Sequence, residues 1–170
     1  MSNLIAPVLI PSARTMLGYA DRLLVGITPD NFARMPKGVE TNHPAFNFGH
    51  LAIYPEPMLR TLGRDDLAID ESHYADIFGM KSQCKDDPEG NIYPHMTEVV
   101  ERFRTRHEVV LGVLAETDDE VFGKTNPVEG MRERFPTIGA MTAFMLGGHA
   151  MMHLGQISAW RRCMGLGSAM

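Results

Sequence analysis

Between Met96 and Leu114 the apolar positions return every three or four residues: Met96, Val100, Phe103, His107, Val110 and Leu114 fall on one face. A stripe of that period fits an α-helix with one buried side and does not fit a strand. The same spacing recurs through Ile10, Ala13, Leu17, Ala20, Leu24 and Ile27. No stretch alternates at period two for long enough to make a sheet. The chain must therefore solve its packing problem with helices alone.

Taken in order, residues 1–11 are an apolar lead-in, and Pro11-Ser12 opens a first helix that Thr28-Pro29-Asp30 stops. Residues 29–41 read as a loop with one helical turn around Asp30–Met35. A second helix starts at Asn42-His43-Pro44, with Asn42 or His43 as N-cap. Pro55 and Pro57 predict a break just after Tyr54, with helix resuming over Met58–Leu62. Residues 63–94 are irregular, with a short helix at Glu71–Phe78. Their interleaved Tyr74, Ile77, Phe78, Met80, Ile92 and Tyr93 predict packing on the body. The third helix spans Pro94–Glu116, and residues 117–136 form a loop. Thr137 caps a fourth helix over Ile138–Met164, ended by Gly165 and Gly167. Its expected core stripe is Met141, Met145, Gly148/His149, Met152, Gln156 and Ala159/Trp160. The expectation is all-α: one domain over 1–170, a four-helix bundle with long connections between helices 2–3 and 3–4.

The net charge of −5 and the lack of a basic stripe argue against a nucleic-acid partner. Arg102, Arg104 and Arg106 alternate with apolar positions and read as a solvated helix face. Cys84 and Cys163 are isolated, which suits two free thiols in a reducing cytoplasm. No basic region followed by an apolar core opens the chain, and no window is apolar enough to span a bilayer, so neither signal peptide nor membrane span is expected.

Seven histidines carry the chemistry. His149 and His153 are four apart, which puts both imidazoles on one helix face within reach of one metal ion. A third ligand has to come from another helix. His50 beside Gly49 is one candidate, because the glycine permits close backbone approach. His43 lies seven residues earlier on roughly the same face, and His107 sits on the inner stripe of the third helix. His73 and His95 fall in or beside loops and receive no role. Tyr54 is one turn beyond His50 and Gln156 one turn beyond His153. Either can meet a ligand or substrate, and so can His107.

The run Asn42-His43-Pro44-Ala45-Phe46-Asn47-Phe48-Gly49-His50-Leu51-Ala52 is followed by His149-(x3)-His153-Leu154-Gly155-Gln156-Ile157 and Trp160-Arg161-Arg162-(x2)-Gly165. With Tyr93-Pro94 and Phe135-Pro136-Thr137 between them, these motifs resemble the DinB/YfiT-like superfamily over nearly the whole chain. The resemblance implies a divalent metal held inside a four-helix bundle by His50, His149 and His153. It further implies a homodimer and activities such as transfer or isomerisation with low-molecular-weight thiols. The prolines after Tyr54 depart from the family pattern. Three neutral imidazoles leave a divalent ion at least one open position, and suit zinc or nickel. No Asp, Glu or Cys lies at helical spacing to close the site; Cys163 is about 15 Å along the axis from His153. An open site fits a metal-dependent thiol S-transferase or hydrolase. The competing expectations are a non-catalytic metal- or small-ligand-binding stress or regulatory dimer, and a plain helical interaction module without metal.

Overall fold

The computed structural model describes residues 3–169 and is all-helical among them, apart from one isolated bridge between Thr125 and Thr137. Met1, Ser2 and Met170, which the expected domain includes, lie outside the described residues. The helices are α1 (Ala6–Leu24), α2 (Pro29–Phe32), α3 (Pro44–Leu51), α4 (Pro55–Thr61), α5 (Ser72–Phe78), α6 (Met96–Glu116), α7 (Asp119–Gly123), α8 (Ile138–Ala143) and α9 (Ala150–Cys163). A π-helical segment, Phe144–His149, joins α8 to α9 without a break. α1 and α3 each pack against both α6 and α9, and α4 packs against α6. Trp160, Phe48, Phe103, Leu114 and Leu154 are fully buried in the core these helices share. No helix among the described residues is long and apolar enough to cross a membrane.

Several boundaries move from their expected places. α1 begins at Ala6, with Pro7 in its first turn and Pro11 inside the helix. The chain just ahead of it is held by a distant side chain: the Asp119 carboxylate takes bonds from Leu4 N and Ile5 N at 2.9–3.0 Å. The helix ends ahead of Thr28, because Gly26 at φ 79° turns the chain out. The break in the second helix falls before Pro55, over residues 52–54. Pro55 and Pro57 then sit in the first turn of α4, where the backbone N–H has no helical partner in any case. The loop 117–136 contains α7, which Asp118 caps by accepting from Glu120 N at 3.0 Å and which Phe122 anchors in the core. Within 63–94, Tyr74, Phe78 and Tyr93 are buried as expected, but Met80 and Ile92 are exposed.

The fourth helix departs most from expectation. Its buried residues run Ile138, Thr142, Leu146, Ala150, Leu154, Ile157, Arg161, with Met145 and Trp160 beside them. The mean step of that series exceeds the 3.6 residues of an α-helix, because the π segment has a wider turn. The stripe expected from Met141 and Met145 therefore fails at Met152, which is exposed, although its last member Trp160 is buried. His149 and His153 immediately precede buried Ala150 and Leu154, at the edge of the core.

Arg106 also departs from the solvated face expected of it. Its guanidinium makes a bidentate pair with Glu56, at 2.7 and 2.8 Å, and donates to Leu67 O at 2.7 Å. Glu56 is fully buried and also accepts from Ile69 N. This pair ties α4 and the segment after it to α6. Removing one partner leaves the other charge buried and unpaired. Arg106→Met is expected to cost about 3–5 kcal/mol in urea unfolding, and Glu56→Leu with Arg106→Met to recover most of it. A single variant as stable as the parent would refute this.

Candidate metal centre

His50 lies near the end of α3, a helix buried along its whole length. His43 caps that helix, its Nδ1 accepting from Phe46 N at 3.2 Å, and its Nε2 donates to Lys85 O. Both nitrogens of His43 are thus engaged in holding loop to helix, and it is no ligand candidate. Next to His50, Gly49 meets the ring of Phe78 so closely that a Cβ would collide with it. The same residue turns its carbonyl to His50: Nδ1–H donates to Phe78 O at 2.7 Å. That bond fixes the tautomer and makes Nε2 the acceptor nitrogen of the ring. The Tyr54 hydroxyl donates to this Nε2 at 3.2 Å.

His149 and His153 approach from the opposite helix. Donor atoms of His50, His149 and His153 all lie within 4.8 Å of one another. His153 Nδ1–H donates to Asn47 Oδ1 at 2.9 Å. The Asn47 amide is oriented in turn by donating to Asn42 O at 3.1 Å. His153 Nε2 is therefore the free nitrogen of that ring. His149 Nδ1 is buried and has no hydrogen-bond partner among the described residues, so one nitrogen of this ring is an uncompensated polar atom beside the cluster. The donor set, three neutral imidazoles of which His50 and His153 have Nδ1 engaged, fits a divalent metal.

Burial keeps the rings neutral. It depresses His149 to about 4 and His153 to about 3, with the neighbouring histidines adding to the effect. His50 is lowered by burial too, against the opposing bond to Phe78. At neutral pH, protons do not compete for the three lone pairs.

The other candidates are placed elsewhere. His107 is buried on α6, donates Nδ1–H to its own helix at Phe103 O, and lies outside the triad. Gln156 accepts from Asn42 at 3.1 Å and so joins the Asn42–Asn47 relay that ends on His153. Tyr54 touches the site directly, with its ring 4.7 Å from that of His149. Asn47 and the carbonyl of Phe78 had no assigned role in the sequence. A polar residue three before His50, on a helix otherwise apolar, was the available signal for Asn47; nothing local marks a backbone carbonyl 28 residues away.

A cavity of about 380 Å³ opens beside the triad, with His50, Tyr54 and His149 in its wall. Five methionines line it, and none of its lining residues is Asp, Glu, Lys or Arg.

Two outcomes are expected from this geometry. Gly49→Ala forces the Phe78 ring and carbonyl away, costing about 1–3 kcal/mol of stability and weakening zinc affinity in a chelator competition; unchanged affinity would show that the carbonyl bond is irrelevant. The second concerns acid. His107 ionises near 6.5 when unfolded and about 4 when buried. The unfolded chain binds more protons between those values, so stability is complete above pH 6.5 and falls as pH drops. Between pH 7 and 4.5, metal-free protein should lose about 2 kcal/mol from this group alone. His107→Leu should shrink the loss measured by urea unfolding, and an equal loss in the variant would count against the assignment.

No curated protein matches the chain significantly. The family model described as the DinB superfamily matches residues 14–157, a span that contains all three histidines, Asn47, Tyr54 and the π segment. The chain belongs to the DinB superfamily.

Proposed function

We propose that His50, His149 and His153 bind one divalent metal, zinc or nickel, in an open site, and that the protein is a metal-dependent thiol S-transferase or hydrolase. The observation that carries this reading is the convergence of three neutral imidazoles, two with their outer nitrogens already engaged. In this reading residues 1–170 form one domain, a four-helix bundle of α1, α3–α4, α6 and α8–α9. The mutual contacts of those helices support it. The protein is a cytoplasmic homodimer, and a low-molecular-weight thiol or other small molecule is its co-substrate.

A metal in this site supplies Lewis acidity and an exchangeable position, which make a water or thiol more acidic. The protein's own groups do the positioning. Phe78 O and the Asn47 amide hold two imidazoles at fixed tautomers. The Tyr54 phenol is kept protonated because burial raises its pKa. Were His50 Nε2 to serve as a ligand, the Tyr54 hydroxyl that now donates to it would be free to donate to a substrate atom. The apolar cavity wall excludes competing water.

A second reading is a non-catalytic metal- or ligand-binding stress or regulatory dimer. The lack of a carboxylate in the cavity wall favours it, since no obvious general base adjoins the site.

Untagged protein is expected to carry about one equivalent of metal per chain, with His153→Ala losing at least about a hundredfold in zinc affinity. Less than about a tenth of an equivalent, with no thermal shift on adding Zn²⁺ or Ni²⁺, would refute the metal site. Metal-loaded protein should turn over in thiol-conjugation or hydrolysis assays and stop on chelation. Turnover that survives chelation would refute the catalytic role, and metal binding with no turnover would favour the second reading.

A further inference from the structure

The cavity beside the triad has a composition that the metal site does not require. We propose that it takes an uncharged, apolar molecule anchored by a single metal-binding head group, and rejects ligands with a charged tail. The head-group part rests on the metal reading above; the tail part rests on the cavity alone.

Three observations carry this. The cavity's volume, about 380 Å³, is that of a small-molecule site. Its polar end is compact: the rings of His50, Tyr54 and His149 lie within 4.7–5.4 Å of one another. Most of the remaining wall is apolar, with Met58, Met80, Met131, Met141, Met145 and Phe144 prominent. Thioether side chains are unbranched and polarisable, so they adapt to a chain or ring without demanding one shape.

The missing feature decides the class. Thiols derived from amino acids carry carboxylate and ammonium groups. Such groups leave water at high cost unless a counter-charge receives them, and no residue lining the cavity provides one. A ligand of that kind has to keep its charged part outside. An aliphatic tail gains from every methylene it buries. The apolar surface also continues to the mouth, where Met80 and Val128 are 88 % and 47 % exposed, so a tail leaving the cavity still finds apolar contact.

The test uses zinc-loaded protein and three hydroxamates with the same head: acetohydroxamate, octanohydroxamate and suberic monohydroxamate, whose tail ends in a carboxylate. In calorimetry, octanohydroxamate should bind at least about a hundredfold tighter than acetohydroxamate. The terminal carboxylate should cost at least about tenfold. Met131→Glu should remove the chain-length gain, while Met131→Leu keeps it. A chain-length effect under tenfold, or a carboxylated tail binding as tightly as the plain one, would overturn the proposal. A parallel measurement separates its failure from that of the metal reading. Metal-free protein should bind the uncharged fluorophore N-phenyl-1-naphthylamine at one site, displaced by 1-octanol. If the dye binds and no hydroxamate does, the metal reading fails and the apolar cavity stands. If the dye does not bind, the cavity is not an apolar ligand site and this proposal falls, whatever the metal does.

Discussion

Three imidazoles with donor atoms within 4.8 Å of one another, at the edge of an apolar core, cannot afford to be charged. Desolvation and mutual repulsion both favour the neutral form. A neutral ring presents one donor and one acceptor, and each must find a partner. For His50 and His153 the donor side is met by Phe78 O and by Asn47. Much of the surrounding architecture serves that requirement. α5 is held against α3 through the glycine that admits the Phe78 ring, and the turn into α3 is held by His43 and the Asn42–Gln156 contact. One nitrogen from each ring is left close to the other two, an arrangement that fits a cation.

The helical class and the HxxxH pair were legible because both depend on local periodicity. A stripe through Val100, Phe103, His107, Val110 and Leu114 has one physical reading, and it holds in α6. Selection of His50 over His43 and His107 came from family resemblance, and the geometry separates the three: His43 has both ring nitrogens occupied, and His107 lies outside the cluster. Phase was not legible in the fourth helix. A period argument assumes that α-helical geometry continues, and Phe144–His149 breaks it without a proline to mark the spot. The Gly147-Gly148 pair was the one local irregularity there. Long-range polar partners were equally hidden. Arg106 looks like any surface arginine until the fold brings Glu56 against it, 50 residues away.

The two buried polar systems differ in kind. Glu56 and Arg106 satisfy each other and the backbone around them, and this closed network fixes the position of α4. The histidine cluster is incomplete, since His149 Nδ1 remains without a partner. A closed network confers structural definition, whereas an open one leaves free energy available for a ligand. Their proximity through α4 places a rigid support behind a site that has unspent binding capacity.

The π segment carries one more consequence. A wide turn of this sort contains one residue more than the α-helix it interrupts. Rewinding this segment as regular α-helix at unchanged length would rotate everything downstream by about 100° relative to α8. His149 and His153 would remain neighbours on a sound helix, but facing away from α3. The facing of the histidine pair toward α3 thus rests on one extra residue of helical winding ahead of it, and not on the histidines alone.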